Sequence, residues 1–145
     1  MEIQFIKHNV KFTLSQAKLY KTWIEKVIKA EKQKGQSITY VFSTDAFVLK
    51  INQDFLQHDY FTDIITFPLS KKGAPLEAEL YISIDRVKDN AKTMGVRFSD
   101  ELSRVMVHGI LHLCGYKDKT KTQVQEIRAR EDYWLNKLQQ MRITD

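Results

Sequence analysis

The stretch HGILHLCGYKD, residues 108–118, determines how the rest of the chain is interpreted. His108 and His112 are four residues apart, so on a helix their imidazoles lie on one face and can bind the same metal ion. Gly115 favours a left-handed turn that ends the helix and brings Asp118 back toward that ion. Two nitrogens and one carboxylate oxygen leave a fourth position for water, which is typical of a catalytic zinc site. The stretch therefore predicts a metal centre; the alternative is a histidine pair on the surface or satisfied in the core.

Metallopeptidases use the same spacing in the motif H-E-x-x-H-x-x-G-x-x-H, in which the glutamate is the general base. In this chain Gly109 takes the position of the glutamate, and Asp118 takes the position of the last histidine. The absence of the usual base disfavours peptide hydrolysis. Two histidines and a carboxylate can also hold ferrous iron for oxygen chemistry, but no oxidant-binding feature accompanies them. Zinc is therefore the expected metal.

The residues before the motif have the spacing of a helix that packs on a core. Ser99 is predicted to cap this helix, with Asp100 and Glu101 placed favourably at its positive end. Cys114 follows the second histidine and is expected to point into the core as a small apolar side chain. The apolar side of the helix is predicted to consist of Leu102, Val105, Met106, Gly109 and Leu113.

Working outward, the pattern predicts an α+β domain of about four strands and about five helices. Alternating or β-branched segments predict strands at residues 3–12, 37–43, 62–70 and 77–84. Ser15 is predicted to cap a helix that runs to Gly35. Thr44 and Asp45 are predicted to cap a short second helix, and a third helix is predicted over residues 86–94. The order of the strands in the sheet is not readable from this pattern.

The final helix is predicted to begin near Thr122, because Thr122 and Gln125 match a capping box. An amphipathic pattern follows over the rest of the chain. Its buried face is predicted to consist of Val124, Ile127, Trp134, Leu135 and Leu138.

The composition is that of an ordinary globular protein of one domain. The chain has 145 residues, 43% of them hydrophobic and 28% charged, and its formal net charge is +5. The basic charge mildly favours a polyanionic partner. The single cysteine, Cys114, excludes an internal disulfide and suits a reducing compartment. No signal-peptide pattern and no apolar run long enough to span a membrane are recognisable, so a cytoplasmic protein is expected.

Three segments together resemble a known family. HGILHLCGYKDK, beginning at His108, resembles the HGxLHLxGYDH signature of the YbeY family of metal-dependent endoribonucleases. INQDFLQHDYFTDIITFP, beginning at Ile51, is similar to the family's LNxxYRxxDxPTDVLSF segment. AELYISIDRVKDNAK, beginning at Ala78, is similar to its GDIxISxDxAxxQA segment. The order and separation of the three segments agree with the family.

The resemblance implies a zincin-like α+β fold and a single metallo-endoribonuclease domain over residues 1–145. It implies cleavage of single-stranded RNA, in maturation of the 3′ end of small-subunit (16S) ribosomal RNA and in ribosome quality control. One zinc ion is expected as cofactor. The family's first two histidine ligands fall on His108 and His112, and its third histidine falls on Asp118.

Two residues depart from the family pattern. Carboxylate oxygen is an ordinary zinc ligand, so Asp118 is acceptable in place of histidine, but it lowers the charge of the centre and weakens the Lewis acid. Alternatively, Asp118 is not a ligand and Lys117 or Lys119 crowds the loop. The family's arginine in the YR pair falls on Leu56, which removes a guanidinium that would stabilise phosphate charge. His58 is a speculative substitute, with a surface role as the alternative.

RNA contacts are predicted beside the ligands. Lys117, Lys119 and Lys121 are candidates for phosphate contacts, with a solvated loop as the alternative. Exposed aromatic rings would stack on single-stranded bases, and the candidates nearest in sequence are Tyr60, Phe61 and Tyr116. A second hypothesis is an assembly factor that binds RNA or ribosomal proteins and uses the metal only for structure.

Overall fold

A four-stranded mixed sheet lies at the centre of the fold in a computed structural model that describes residues 1–144. The strands are β1 (Glu2–Lys7), β2 (Gly35–Ser43), β3 (Ile64–Pro68) and β4 (Leu76–Ser83). Their order in the sheet is β1-β2-β4-β3. β1, β2 and β4 are parallel, and β3 is antiparallel to β4 at the edge of the sheet.

Five helices accompany the sheet within residues 1–144, which confirms the predicted α+β class. They are α1 (Ala17–Ala30), α2 (Asp45–Leu56), α3 (Ile84–Met94), α4 (Phe98–Leu113) and α5 (Lys121–Thr144). No helix in the described part of the chain is long and apolar enough to cross a membrane.

α4 packs directly on the sheet and contributes many of the buried residues of the core. The hydroxyl of Tyr40 on β2, which is fully buried, donates to the carbonyl of Met106 over 2.8 Å. On the next turn, a Cβ added to Gly109 would lie 2.5 Å from Leu80 Cδ2 and 2.8 Å from Ile64 Cδ1. The absence of a side chain at Gly109 therefore allows α4 to approach β3 and β4 closely. This approach fixes the histidine-bearing face of α4 relative to the edge of the sheet.

The predicted capping residues are correct for α2 and wrong for α1, α4 and α5. Thr44 caps α2, since its Oγ1 accepts from the backbone N–H of Phe47. Ser15 does not cap α1, because Gln16 precedes that helix with a left-handed φ of 61° and no side-chain cap is made. Ser99 lies inside α4, whose N-cap is Arg97.

The capping box of α5 lies two residues earlier than predicted. The N–H of Gln123 donates to Thr120 Oγ1, and the N–H of Thr120 donates to Gln123 Oε1, each over 3.1 Å. Thr120 and Gln123 thus satisfy each other, and α5 begins at Lys121, which confirms the predicted start near Thr122 although the capping pair differs.

The bounds of the first strand and the buried face of α5 also need correction. The first strand ends at Lys7 because Asn9 adopts a positive φ of 53°, which extended backbone does not allow. Phe12 therefore lies outside β1, although its ring still packs against Phe42 and Phe98. On α5, the predicted core residues Ile127, Trp134 and Leu138 are buried and Leu135 packs against the core, but Val124 is exposed.

Candidate metal centre

Three ligand atoms converge at the end of α4. His108 Nε2 and His112 Nε2 lie 2.9 Å apart. Asp118 Oδ2 lies 3.2 Å from His112 Nε2 and 3.6 Å from His108 Nε2. Bonds of about 2.0–2.1 Å to a tetrahedral zinc ion place neighbouring ligand atoms about 3.3 Å apart. The three separations bracket this value, so the predicted residues lie where they could hold one ion.

The orientation of His108 is fixed by a buried carboxylate on α5. Its Nδ1 lies 2.6 Å from Oε2 of Glu131, whose side chain is almost fully buried. Arg104 donates from Nη1 to the other oxygen of Glu131 over 2.9 Å. Burial alone would raise the pKa of Glu131, but the hydrogen bonds from His108 and Arg104 outweigh it and lower the pKa. The ionised carboxylate therefore holds a proton on His108 Nδ1 and turns Nε2 toward the site.

The pKa of His108 reflects the same surroundings. Burial by itself would lower this pKa, but Glu131, Asp118 and Asp63 outweigh burial and raise it. The surroundings of His108 therefore favour a positive charge at this position.

The orientation of His112 is fixed by the turn that ends α4. Gly115 has a positive φ of 107°, and the N–H of Tyr116 donates to the carbonyl of Leu111 over 3.0 Å. The N–H of Gly115 donates to the carbonyl of His112 over the same distance, which completes a Schellman motif. This turn places the carbonyl of Tyr116 2.9 Å from His112 Nδ1. The predicted helix-ending role of Gly115 is confirmed.

A second contact chain connects that turn to α1 and α5. The hydroxyl of Tyr116 donates to Glu31 Oε2 over 3.0 Å, and Arg130 Nε donates to Glu31 Oε1 over 2.6 Å. Trp134 Nε1 also donates to Glu31 Oε1. Burial would raise the pKa of Glu31, but these three hydrogen bonds prevail and lower it. The neighbours Arg130 and Glu131 on α5 thus support His112 and His108 respectively, the first through Glu31 and Tyr116.

The donor and acceptor inventory of the cluster favours a cation. A carbonyl and an ionised carboxylate only accept hydrogen bonds, so both Nδ1 atoms carry the proton and, with neutral rings, both Nε2 atoms present lone pairs. With neutral rings, two Nε2 lone pairs and the Asp118 carboxylate face one another within 3.6 Å, and the raised pKa of His108 shows that this arrangement favours positive charge. A bound cation resolves this arrangement. The donor set thus fits a metal ion of the type that binds nitrogen and oxygen.

The predicted family is decided by comparison with known proteins. The family model described as "Endoribonuclease YbeY" matches residues 2–139. The chain belongs to the YbeY endoribonuclease family. A protein of Cytophaga hutchinsonii named Endoribonuclease YbeY is 45% identical to this chain, over 92% of this chain and 94% of the relative. The relative in Porphyromonas gingivalis shares 41%, over 96% of this chain and 91% of the relative.

A solved structure has a similar fold. The solution structure of TM1509 from Thermotoga maritima has a TM-score of 0.66 and 25% sequence identity to this chain. The match covers 95% of this chain and 89% of TM1509. Membership of the YbeY family confirms the prediction that the chain is an endoribonuclease. An enzyme of this class acts on RNA.

A cavity of about 260 Å³ opens beside His108 and Asp118. Asp63 lines it, and burial raises the pKa of this carboxyl although the charge of His108 opposes the shift. Burial also raises the pKa of Glu101, with Asp63 adding to the shift. The other lining residues are Ile64, Glu101, Arg104, Val105, Val124, Ile127, Arg128 and Glu131. Beside the ligands, the cavity of this chain thus contains two carboxyl groups with raised pKa, Asp63 and Glu101. It also contains the guanidinium groups of Arg104 and Arg128.

Most of the residues predicted to contact RNA are exposed. Lys117, Lys119 and Lys121 are exposed on the segment around Asp118. Tyr60 and Phe61 are also exposed, at 56% and 52%. Tyr116 is not a free stacking surface, since its hydroxyl bonds to Glu31 and its ring packs against the core.

Sequence reasoning missed the groups that support the ligands. Glu131 is 23 residues from His108, and Glu31 is 85 residues from Tyr116. Neither carboxylate belongs to a motif. The available signal was weak: Glu131 is an acidic residue within the buried stripe of α5, between Ile127 and Trp134. A buried charge on such a stripe requires a partner.

Proposed function

We propose that this chain is a zinc-dependent endoribonuclease that cleaves single-stranded RNA, in 16S ribosomal RNA 3′-end maturation and ribosome quality control. One zinc ion is held by His108, His112 and Asp118 in a single cytoplasmic domain over residues 1–145. The substrate is ribosomal RNA, and ribosomal proteins are the expected partners. The observation that carries the proposal is the convergence of His108 Nε2, His112 Nε2 and Asp118 Oδ2 on one point, with both imidazoles oriented by hydrogen bonds at Nδ1.

The chemistry follows from what the chain positions around that point. A bound zinc ion supplies Lewis acidity toward a phosphoryl oxygen and lowers the pKa of water. Glu131 and the carbonyl of Tyr116 keep both imidazoles in the tautomer that presents Nε2. Asp63 is half-buried in the adjoining cavity, where its raised pKa suits an exchange of protons with the reacting groups.

Phosphate binding is assigned to cations near the ligands. Arg128 lines the cavity with a side chain 57% exposed, and its nearest carboxylate oxygen, on Glu131, is 3.8 Å away. In the YbeY family an arginine stands at the position of Leu56, where it would stabilise phosphate charge. We assign this role to Arg128. Lys117, Lys119 and Lys121 extend the positive surface along the backbone of the RNA.

The alternative role, an assembly factor with a purely structural metal, rests on Asp118 and Leu56. Structural zinc sites are usually closed by four protein ligands. Within the described residues the cluster has three members, and a cavity adjoins it. The open side therefore favours a catalytic site.

The direct test is cleavage of a single-stranded RNA by purified protein. We expect cleavage with zinc, loss of cleavage after chelation, and recovery when zinc is returned. The same sequence annealed to its complement should be cut much more slowly, which is the matched control for single-strand preference. Cleavage that survives complete removal of metal would contradict the proposal.

The contact between Glu131 and His108 gives a second prediction. Glu131→Gln keeps the shape but removes the charge that holds His108, so zinc affinity should fall by about 10- to 100-fold. Titration against a competing chelator measures the affinity directly. Glu126→Gln, at an exposed position on the same helix, is the matched control. An unchanged affinity in Glu131→Gln would show that the carboxylate does not support the ligand.

A further inference from the structure

A long basic groove lies between α1 and α5, away from the metal ligands. Two adjoining cavities, of about 730 and 550 Å³, share Lys26 and Met141 and form this groove. Along α1 it extends from Lys18 to Lys29, which is about 16 Å at 1.5 Å per residue. The groove is therefore long enough for an extended chain rather than a single small molecule.

The charge of the groove has one sign. Its cationic lining residues are Lys18, Lys26, Lys29, Lys137 and Arg142. No carboxylate of the described residues lines either cavity, although the chain has 18 acidic residues against 23 basic ones. Within residues 1–144, Lys26, Lys29 and Lys137 form no ion pair with a carboxylate. An unneutralised row of cations on both walls suits a ligand with regularly spaced negative charge.

The groove also has an aromatic side. Tyr133 lies on its wall with 43% of its surface exposed, and the guanidinium of Arg130 lies 4.4 Å from its ring centroid. Beneath it, Trp134 is buried and hydrogen-bonded to Glu31. The exposed ring thus lies between two cations of α5, since Nζ of Lys137 is 5.5 Å from its centroid. Grooves that combine cations with such rings bind single-stranded nucleic acid, because bases stack on the rings while phosphates contact the cations.

We propose that this groove is an accessory binding surface for a single-stranded part of the RNA substrate, outside the segment that is cut. The lysines of both helices contact phosphates, and Tyr133 stacks on a base. The inference rests on the proposed ribonuclease function for the identity of the polyanion. α5 connects the two regions, since Glu131 contacts His108 and Tyr133 lies two residues further on.

The test is the salt dependence of binding to a fluorescent single-stranded RNA of about 20 nucleotides. Zinc-loaded protein is mixed with the RNA on ice, and a gel verifies that the RNA is intact. The triple variant Lys26→Gln, Lys29→Gln, Lys137→Gln should reduce the slope of log affinity against log salt by about 2. Between 50 and 200 mM salt, wild type then loses about 16-fold more affinity than the variant. Circular dichroism establishes that each variant is folded.

The matched control carries the same loss of charge elsewhere. The residues Lys11, Lys88 and Lys92 are exposed and lie outside the groove. Their triple change to Gln should leave the slope close to that of wild type. Tyr133→Ala should weaken binding by about 5- to 150-fold at an unchanged slope, and Tyr133→Phe should retain wild-type affinity.

The outcomes separate the groove from the nuclease. Equal slopes for wild type, groove variant and control would overturn the proposal, because the lysines of the groove would then contribute no phosphate contacts. If wild type cleaves RNA but the slopes are equal, the groove is rejected and the nuclease function stands. If wild type does not cleave RNA but the salt dependence of binding is reduced in the groove variant alone, the proposed RNA-binding groove is retained and the nuclease function is rejected.

Discussion

His112→Ala should contain almost no zinc and should cleave RNA at least about a thousandfold more slowly than wild type. The variant removes the Nε2 atom that lies within 3.2 Å of both other ligand atoms, so two ligands remain for the ion. The variant would then lose the zinc ion, which lowers the pKa of its bound water. Metal analysis of the purified protein and the initial rate of cleavage measure the two effects.

The matched control is His58→Ala, which removes an exposed imidazole outside the cluster. Its zinc content should equal that of wild type. Asp118→Ala tests the unusual third ligand and should lose part of the zinc, whereas Asp118→His should retain it. A zinc content in Asp118→Ala equal to that of wild type would remove Asp118 from the ligand set, and full activity in His112→Ala would refute the metal centre.

Gly109→Glu should destabilise the fold by about 3–5 kcal/mol, because it introduces a buried charge without a partner. A Cβ at this position already overlaps the side chains of Leu80 and Ile64, and the carboxyl group would follow it into the core. The substitution also creates the H-E-x-x-H motif of metallopeptidases, but we expect no peptide hydrolysis. Urea denaturation measures the stability, and a casein assay measures peptidase activity.

Gly109→Ala separates steric from electrostatic effects. Alanine gains about 0.5–1 kcal/mol of helix stability over glycine, while displacing the ends of Leu80 and Ile64 costs about 1–3 kcal/mol. The net loss should therefore be about 0–2.5 kcal/mol. A Gly109→Glu variant as stable as wild type would show that the close approach of α4 to the sheet does not constrain this position.

The ligand cluster was predictable because it depends on local geometry. One turn of helix separates His108 from His112, and the glycine turn carries the chain to Asp118 within six more residues. The supports of the ligands were not predictable, because the contact between Glu131 and His108 depends on how α5 packs on α4. No spacing rule describes that contact.

The errors at the helix starts have a common cause. Thr120–Gln123 and Thr122–Gln125 both match the capping-box pattern, and only the hydrogen bonds of the folded chain distinguish them. Ser99 likewise fits a cap by residue type, but α4 begins before it, at Phe98. The strand order was outside the reach of the sequence, since the pairing of β2 with β4 crosses over the helix and strand between them.

The support of both histidines by adjacent residues of one helix has a consequence for the survival of the protein in the cell. Arg130 and Glu131 connect the ligands to α5, so an ion that binds the ligands also opposes the detachment of that helix. A partly opened chain is the form that proteases attack. Scarcity of zinc should therefore shorten the lifetime of the protein as well as reduce its activity, and the amount of enzyme should follow the zinc supply.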